Sequence, residues 1–169
     1  MTDTESPDWN EIVKRHGKRV FRVSLRILGS VHDAEDVAQD VFSEAYRLHR
    51  QGPVQSWTGL LVRLATLRSI DRLRRTRQSV ALRDEDRLTT VEPIEEAVAT
   101  ELAHWLRQAV VQLPDQQATV FVMYHFEHLS HEEIAMNLGI SREAVGTALY
   151  KARQQLLEQL AVFNRGDLK

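Results

Sequence analysis

Apolar residues recur along this chain at three- and four-residue steps, and β-branched alternation of the kind a half-buried strand requires is absent. Four prolines and seven glycines are all that interrupt the pattern. It predicts an all-α protein. The first helix is expected from about Asp8 to Leu28, with Ile12, Val20, Val23 and Ile27 on its apolar face. Gly29-Ser30 ends it. A second is expected from about His32 to Arg50, where Ala34, Val37, Val41, Ala45 and Leu48 form a core-facing stripe with Ala38 and Phe42 beside it. The loop at Gln51-Gly52-Pro53 leads into a third, from about Val54 to Thr76, with core contacts from Leu60, Leu61, Leu64, Leu67 and Leu73. Periodicity lapses from Ser79 to about Glu92, and with Pro93 this stretch reads as a mobile acidic linker. Beyond it, Val98, Leu102, Trp105, Leu106 and Ala109 mark a helix that Leu113-Pro114 breaks, and Asp115 opens another through Phe126. A tail is expected after Leu160.

The stretch from Leu129 to Arg153 carries the most specific pattern. Ser130 is placed as an N-cap, with Glu133 three residues on to complete a capping box. Ile134, Ala135 and Leu138 share a face, and Gly139 follows where a helix end needs positive φ. Ser141 is the next N-cap, and Val145, Leu149 and Ala152 continue an apolar stripe. Small Ala135 permits close approach, Gly139 makes the corner, and Val145 plugs the second helix onto the first. This is the helix-turn-helix that lays its second helix in the DNA major groove; the plainer alternative is an αα-hairpin within a bundle.

Charge changes that picture by its distribution. The formal net charge is -2, which does not suggest a DNA-binding protein. Yet residues 1–78 carry 14 Lys/Arg against 10 Asp/Glu, residues 79–101 carry 2 against 7, and residues 102–169 carry 6 against 7. In the first helix, Lys14, Arg15, Lys18, Arg19, Arg22 and Arg26 make a basic face, either for phosphate or merely solvated. Asp33, Asp36, Asp40 and Glu44 share a face of the second helix, where like charges repel by a few tenths of a kcal/mol per pair. Dipole stabilisation at the helix N-terminus reaches only the first two. A cationic partner surface would explain the row; a solvated face is the alternative. Arg63, Arg68, Arg72, Arg74, Arg75 and Arg77 crowd the third helix against a lone Asp71, a density suited to phosphate. Trp57, beside a loop, is placed either to stack on an unpaired base or to anchor the core.

Other chemistries are not expected. The chain has no cysteine, hence no disulfide or thiolate metal site. His125, His128 and His131 stand three residues apart, but the loop between them would have to fold them onto one ion and no carboxylate is placed for catalysis, so neither metal nor cofactor is expected. There is no nucleophile-base pair, glycine-rich phosphate loop or carboxylate dyad, which argues against an enzyme. The acidic N-terminus is unlike a signal peptide and no apolar run approaches the ~20 residues of a membrane span, so a soluble cytoplasmic protein is expected.

Taken together, DAEDVAQDVF at Asp33 to Phe42, IDRLRR ending at Arg75, and LP…LSHEEIAMNLGIS…KAR resemble the extracytoplasmic-function (ECF) sigma factors of bacterial RNA polymerase, over about Asp8 to Leu160. The resemblance implies two small helical domains joined by a flexible linker, the second containing the helix-turn-helix: residues 1–78 like sigma region 2, 79–93 the acidic linker, and 94–169 like sigma region 4. It implies a subunit that binds core polymerase, directs it to promoters and assists melting. Docking on the clamp helices of the largest polymerase subunit falls to Asp33, Asp36, Gln39, Asp40 and Glu44. Capture of the minus-ten strand falls to the loop from Gln51 and to Trp57, Arg63, Leu67, Arg68, Arg72, Arg74 and Arg75. Reading of the minus-thirty-five duplex falls to Ser141, Arg142, Glu143, Thr147, Tyr150, Lys151 and Arg153, in a domain that also contacts the polymerase flap. An anti-sigma factor is a further implied partner. Gly146 and Ala148 stand where the family usually has basic residues, so minus-thirty-five recognition is expected to be weaker or unusual. Leu67 stands where it often has an asparagine, and Trp57 and Leu60 where an aromatic followed by tryptophan is usual. The alternative is a stand-alone helix-turn-helix repressor or activator.

Overall fold

The computed structural model describes residues 8–81 and 94–166, all of whose regular structure is helical. Seven helices occur among the described residues: α1 (Trp9–Leu28), α2 (Val31–Gln51), α3 (Trp57–Ala81), α4 (Ile94–Val111), α5 (Asp115–His125), α6 (His131–Leu138) and α7 (Arg142–Gly166).

Side chains set most of the boundaries. The Asp8 carboxylate accepts from the Asn10 amide at 3.0 Å to start α1, and Gly29 closes it at φ 69°. Ser30 then caps α2, so one dipeptide makes a tight corner. Ser56 Oγ accepts from the Gly59 amide at 3.0 Å and starts α3, which places Trp57 in the helix rather than in the loop. The last turn before Pro114 tightens, with Gln112 and Leu113 amides donating three residues back.

Helices α1, α2 and α3 pack on one another around Val20, Val23, Ile27, Val37, Val41, Leu61 and Ile70, all essentially closed to solvent. A second set of helices, α5, α6 and α7, packs through Leu113, Val122, Met123, Ile134, Val145 and Leu149, within the same continuous core. The two are not separate in space. Helix α3 also packs against α4, α5 and α6, and α1 meets α4.

The differences from expectation are at helix ends and edges. Helix α3 runs to Ala81, three residues into the segment read as linker; the rest of that segment, 82–93, lies outside the described residues. Helix α7 runs to Gly166, so the tail expected after Leu160 is helical, with Phe163 tilted against Trp105 at 6.1 Å. Leu102, assigned to a core face, is 51% exposed, and Leu48 lies on the surface of α2. Both fall on the apolar spacing of their helices but beyond the reach of the neighbouring helix.

Two glycines respond oppositely to a methyl group. Gly139 sits at φ 65°, where a Cβ meets only an ordinary contact with Gln55, so Gly139→Ala is expected to cost about 1–2 kcal/mol in backbone strain. Gly146 lies inside α7 with open space around it, so Gly146→Ala is expected to add about 0.5–1 kcal/mol. Urea denaturation of the two variants checks the opposite signs.

Candidate nucleic-acid interface

The corner between α6 and α7 is built as the sequence predicts. Ser130 Oγ accepts from the Glu133 amide at 3.2 Å, and the Glu133 carboxylate accepts from the Ser130 amide at 2.7 Å. That backbone bond holds the Glu133 carboxyl below the usual carboxylate range. Ser141 Oγ accepts from the Ala144 amide at 3.0 Å and starts α7. Ile134, Val145, Leu149 and Ala152 are buried between the helices.

This packing turns one face of α7 outward. Arg142, Glu143, Thr147, Tyr150, Lys151 and Arg153 are all exposed, Tyr150 at 64%. Arg142 meets Glu132 of α6 at 2.7 Å, and the Arg153 guanidinium lies over the Tyr124 ring at 5.3 Å from its centre. Ser141 is exposed as well, but its hydroxyl is engaged as the cap. Ala148 is buried, so its side chain fills the α7 core face rather than the outward one.

The acidic row of α2 has cationic partners within the chain itself. Arg72 donates to Asp33 at 2.6 Å and to Asp36 at 3.1 Å. Arg68 donates to Glu44 at 2.6 Å and reaches Asp71 at 3.9 Å. The bonds to Glu44 and Asp33 raise the Arg68 and Arg72 guanidinium pKa values above the ordinary range. The two helices line an open groove of about 680 Å³, with Asp40, Ser43, Arg47 and Arg75 at its edges. Asp40 and Gln39 are exposed, and Asp40 makes no ion pair among the described residues. Of the other α3 arginines, Arg74 donates to the Val111 carbonyl at 2.9 Å, while Arg63 and Arg75 are exposed. Arg77 has no described side chain.

Trp57 is half-buried, edge-on to Trp9 at 5.8 Å and tilted against His49 at 5.4 Å, which is the core-anchor alternative. Leu67 is half-buried on α3. The loop before Trp57 touches α6: the Ser56 hydroxyl donates to Asn137 Oδ1, and a Cβ on Gly59 would overlap the Asn137 carbonyl.

The basic face of α1 is divided: Lys14, Arg15 and Lys18 are exposed, while its other three cations meet the second helical unit. Arg19 and Arg22 both hold Glu127, a residue that no motif singles out, and Arg26 donates to the Phe126 carbonyl. Glu127 lies in the α5–α6 connection, more than a hundred positions from its partners, so no local spacing marks it. The histidines nearby act as packing groups, His125 against Phe121 at 4.5 Å and His131 against Tyr124 at 5.5 Å. Among the described residues no three potential ligands gather into a metal site, and no helix is long and apolar enough to cross a membrane.

Two family models match this chain: Sigma-70 region 2 over residues 12–79, and Sigma-70 region 4 over residues 103–156. The ECF RNA polymerase sigma factor SigE of Mycolicibacterium smegmatis is 32% identical over 160 residues, covering 92% of this chain and 62% of that protein. The chain therefore spans less than two thirds of that relative. The ECF RNA polymerase sigma factor SigW of Bacillus subtilis is 31% identical, covering 89% of this chain and 87% of the relative. Among solved structures, CnrH in complex with the cytosolic domain of CnrY shares the fold at TM-score 0.57 and 22% identity, covering 91% of this chain and 88% of that one. The sigma factor RpoE of Bartonella quintana, solved with the anti-sigma factor NepR, does so at TM-score 0.54 and 17% identity, covering 93% and 99%.

Burial lowers the pKa of His16 and His125, helped by Arg19 and Arg15 for the first and by Arg153 and His128 for the second. The unfolded chain therefore takes up these protons first as pH falls through about 6.5, and stability drops below that pH. The urea midpoint is expected to fall between pH 7 and pH 5.5, and His125→Gln to flatten part of the slope. A midpoint that rises over this window would contradict the assignment.

Proposed function

We propose that this chain, which belongs to the extracytoplasmic-function sigma factors of the sigma-70 family, is a promoter-specificity subunit that binds core RNA polymerase, directs it to promoters and assists their melting. The observation that carries this reading is the pairing of two matched sigma regions, in order, on one chain. A stand-alone repressor or activator would account for the α6–α7 corner but leave α2 and α3 without a role.

In this reading the domains divide at 1–78 and 94–169 with a spacer between. The outer edge of α2, centred on Gln39, Asp36 and Asp40, docks on the clamp helices of the largest polymerase subunit. Asp33 and Glu44 support that edge through Arg72 and Arg68. The Gln51–Trp57 segment and the outer face of α3 receive the unpaired minus-ten strand, with Arg63 and Arg75 as the cations most open to phosphate among the described side chains. Arg68, Arg72 and Arg74 hold α3 in place and reach the strand only by giving up the partners described above. On α7, Thr147, Tyr150 and Lys151 face the minus-thirty-five duplex, with Arg142 and Glu143 at the base edges and Arg153 at a phosphate.

Binding energy for the open strand offsets unpairing, so the subunit needs no cofactor, ATP or metal of its own and acts without catalysing a reaction. It works in the cytoplasm with the polymerase. An anti-sigma factor that covers these surfaces is the regulatory partner, of the kind with which RpoE of Bartonella quintana was solved.

Run-off transcription with purified core polymerase is expected to give promoter-dependent transcripts; tight palindrome binding without polymerase would favour the stand-alone regulator. Asp36→Arg with Asp40→Arg is expected to weaken core binding at least tenfold. Asp36 also pairs with Arg72, so Asp40→Arg alone, at an exposed position without an ion pair among the described residues, separates docking from folding. Lys151→Ala is expected to weaken duplex binding and reduce the log-log salt slope by about 0.9, one phosphate contact. An unchanged slope would place Lys151 off the DNA.

A further inference from the structure

The contact between the two helical units combines apolar packing with one specific ionic group. The Glu127 side chain is 1% exposed, although it lies on a connection rather than in a helix core. Arg22 Nη2 donates to both of its oxygens, at 3.1 and 2.9 Å, and Arg19 Nε donates to one at 2.9 Å. His128 follows at φ 54°, a left-handed conformation for a residue with a side chain, and so fixes the turn that aims Glu127 at α1. Beside it, Arg26 lies over the Phe126 ring at 5.6 Å, and Arg107 Nε donates back to the Arg26 carbonyl at 3.1 Å. On the opposite flank Asn137 of α6 sits on Ser56 and Gly59, at the start of α3.

This arrangement conflicts with reading a promoter at two places. The minus-ten and minus-thirty-five elements lie about 25 base pairs apart, of the order of 80 Å at about 3.4 Å per pair. A compact chain of this length has a radius of gyration of about 15 Å, hence is about 40 Å across. Helix α6 also stands over the loop that receives the unpaired strand. The units must separate before both elements are bound.

We infer that Glu127, held by Arg19 and Arg22, is an intramolecular latch that keeps the chain closed and inactive until the units part. The inference rests on the proposed function for what is inhibited; the latch itself is a property of the free chain. Opening returns a carboxylate and two guanidiniums to water and uncovers the start of α3. Glu127 contributes to neither unit's apolar core, so its replacement loosens the contact without unfolding the units.

The test uses the full chain with Arg50→Cys and Glu158→Cys, both at exposed positions in a protein without native cysteine, labelled for energy transfer between α2 and α7. High transfer is expected with Glu127 in place, and a drop of at least half with Glu127→Arg. The charge-swapped combination of Arg19→Glu, Arg22→Glu and Glu127→Arg is expected to restore it. Circular dichroism confirms that each variant keeps its helices. Unchanged transfer in Glu127→Arg, or no recovery in the swapped chain, overturns the latch. With core polymerase and a promoter that the unaltered chain transcribes, Glu127→Arg is expected to speed open-complex formation about three- to tenfold, and a rate no faster than the unaltered chain's overturns the inhibitory role. Absence of any promoter-dependent transcript from the unaltered chain counts against the proposed function and leaves the energy-transfer result standing.

Discussion

Taking a carboxylate out of water costs several kcal/mol unless cations and hydrogen bonds replace its hydration. Glu127 meets that condition only where Arg19 and Arg22 stand, so its position adds a directional term to the packing of α3 on α4, α5 and α6. The same rule limits how far such a pair stabilises. The two guanidiniums keep 35% and 49% of their exposure, so much of the Coulombic gain is screened, and the contact is suited to being made and broken. The α1 face thus serves as an internal anion site when closed.

The α6–α7 corner obeys a different logic, entirely local. Ser130, Glu133, Gly139 and Ser141 lie within twelve residues, and each satisfies a backbone group or conformation that the helix ends would otherwise leave at a cost. That is why this corner was legible in the chain, down to the individual hydrogen bonds. The apolar stripes were legible for a related reason: Ile12, Val20, Val23 and Ile27 on α1, and Ala34, Val37, Val41 and Ala45 on α2, repeat at the helical period and are buried together. The two sigma-like regions belong with these, since their motifs are runs of neighbouring residues.

Periodicity failed where burial depends on what lies opposite. Leu48 and Leu102 sit on apolar spacing yet face solvent, because no helix covers that end of the stripe. Ser79 and Val80 break the pattern, yet α3 continues through them: a helix already nucleated and packed extends by one hydrogen bond per residue without needing an apolar face. Longer-range electrostatics was less accessible still. The partners of Arg19 and Arg22 lie more than a hundred residues away, and those of Arg68 and Arg72 lie on a different helix. A charge count along the sequence shows that α3 is basic and α2 acidic. It does not show that they neutralise each other.

That neutralisation alters what the arginine cluster can do. An arginine already bonded to a carboxylate reaches a phosphate only by leaving that carboxylate behind, and Arg72 cannot leave without placing Asp33 and Asp36, one helical step apart, side by side and uncompensated. Among the described side chains, the effective positive surface of α3 is therefore narrower than its composition suggests, and centres on Arg63 and Arg75. The same pairing stiffens the helix pair on which both surfaces depend. The edge of α2 that faces outward, at Gln39 and Asp40, and the exposed face of α3 are held in one frame by Arg68 and Arg72. A change on one side of that frame is transmitted to the other through these ion pairs, so in the proposed reading docking and strand capture are coupled by geometry rather than by proximity in sequence.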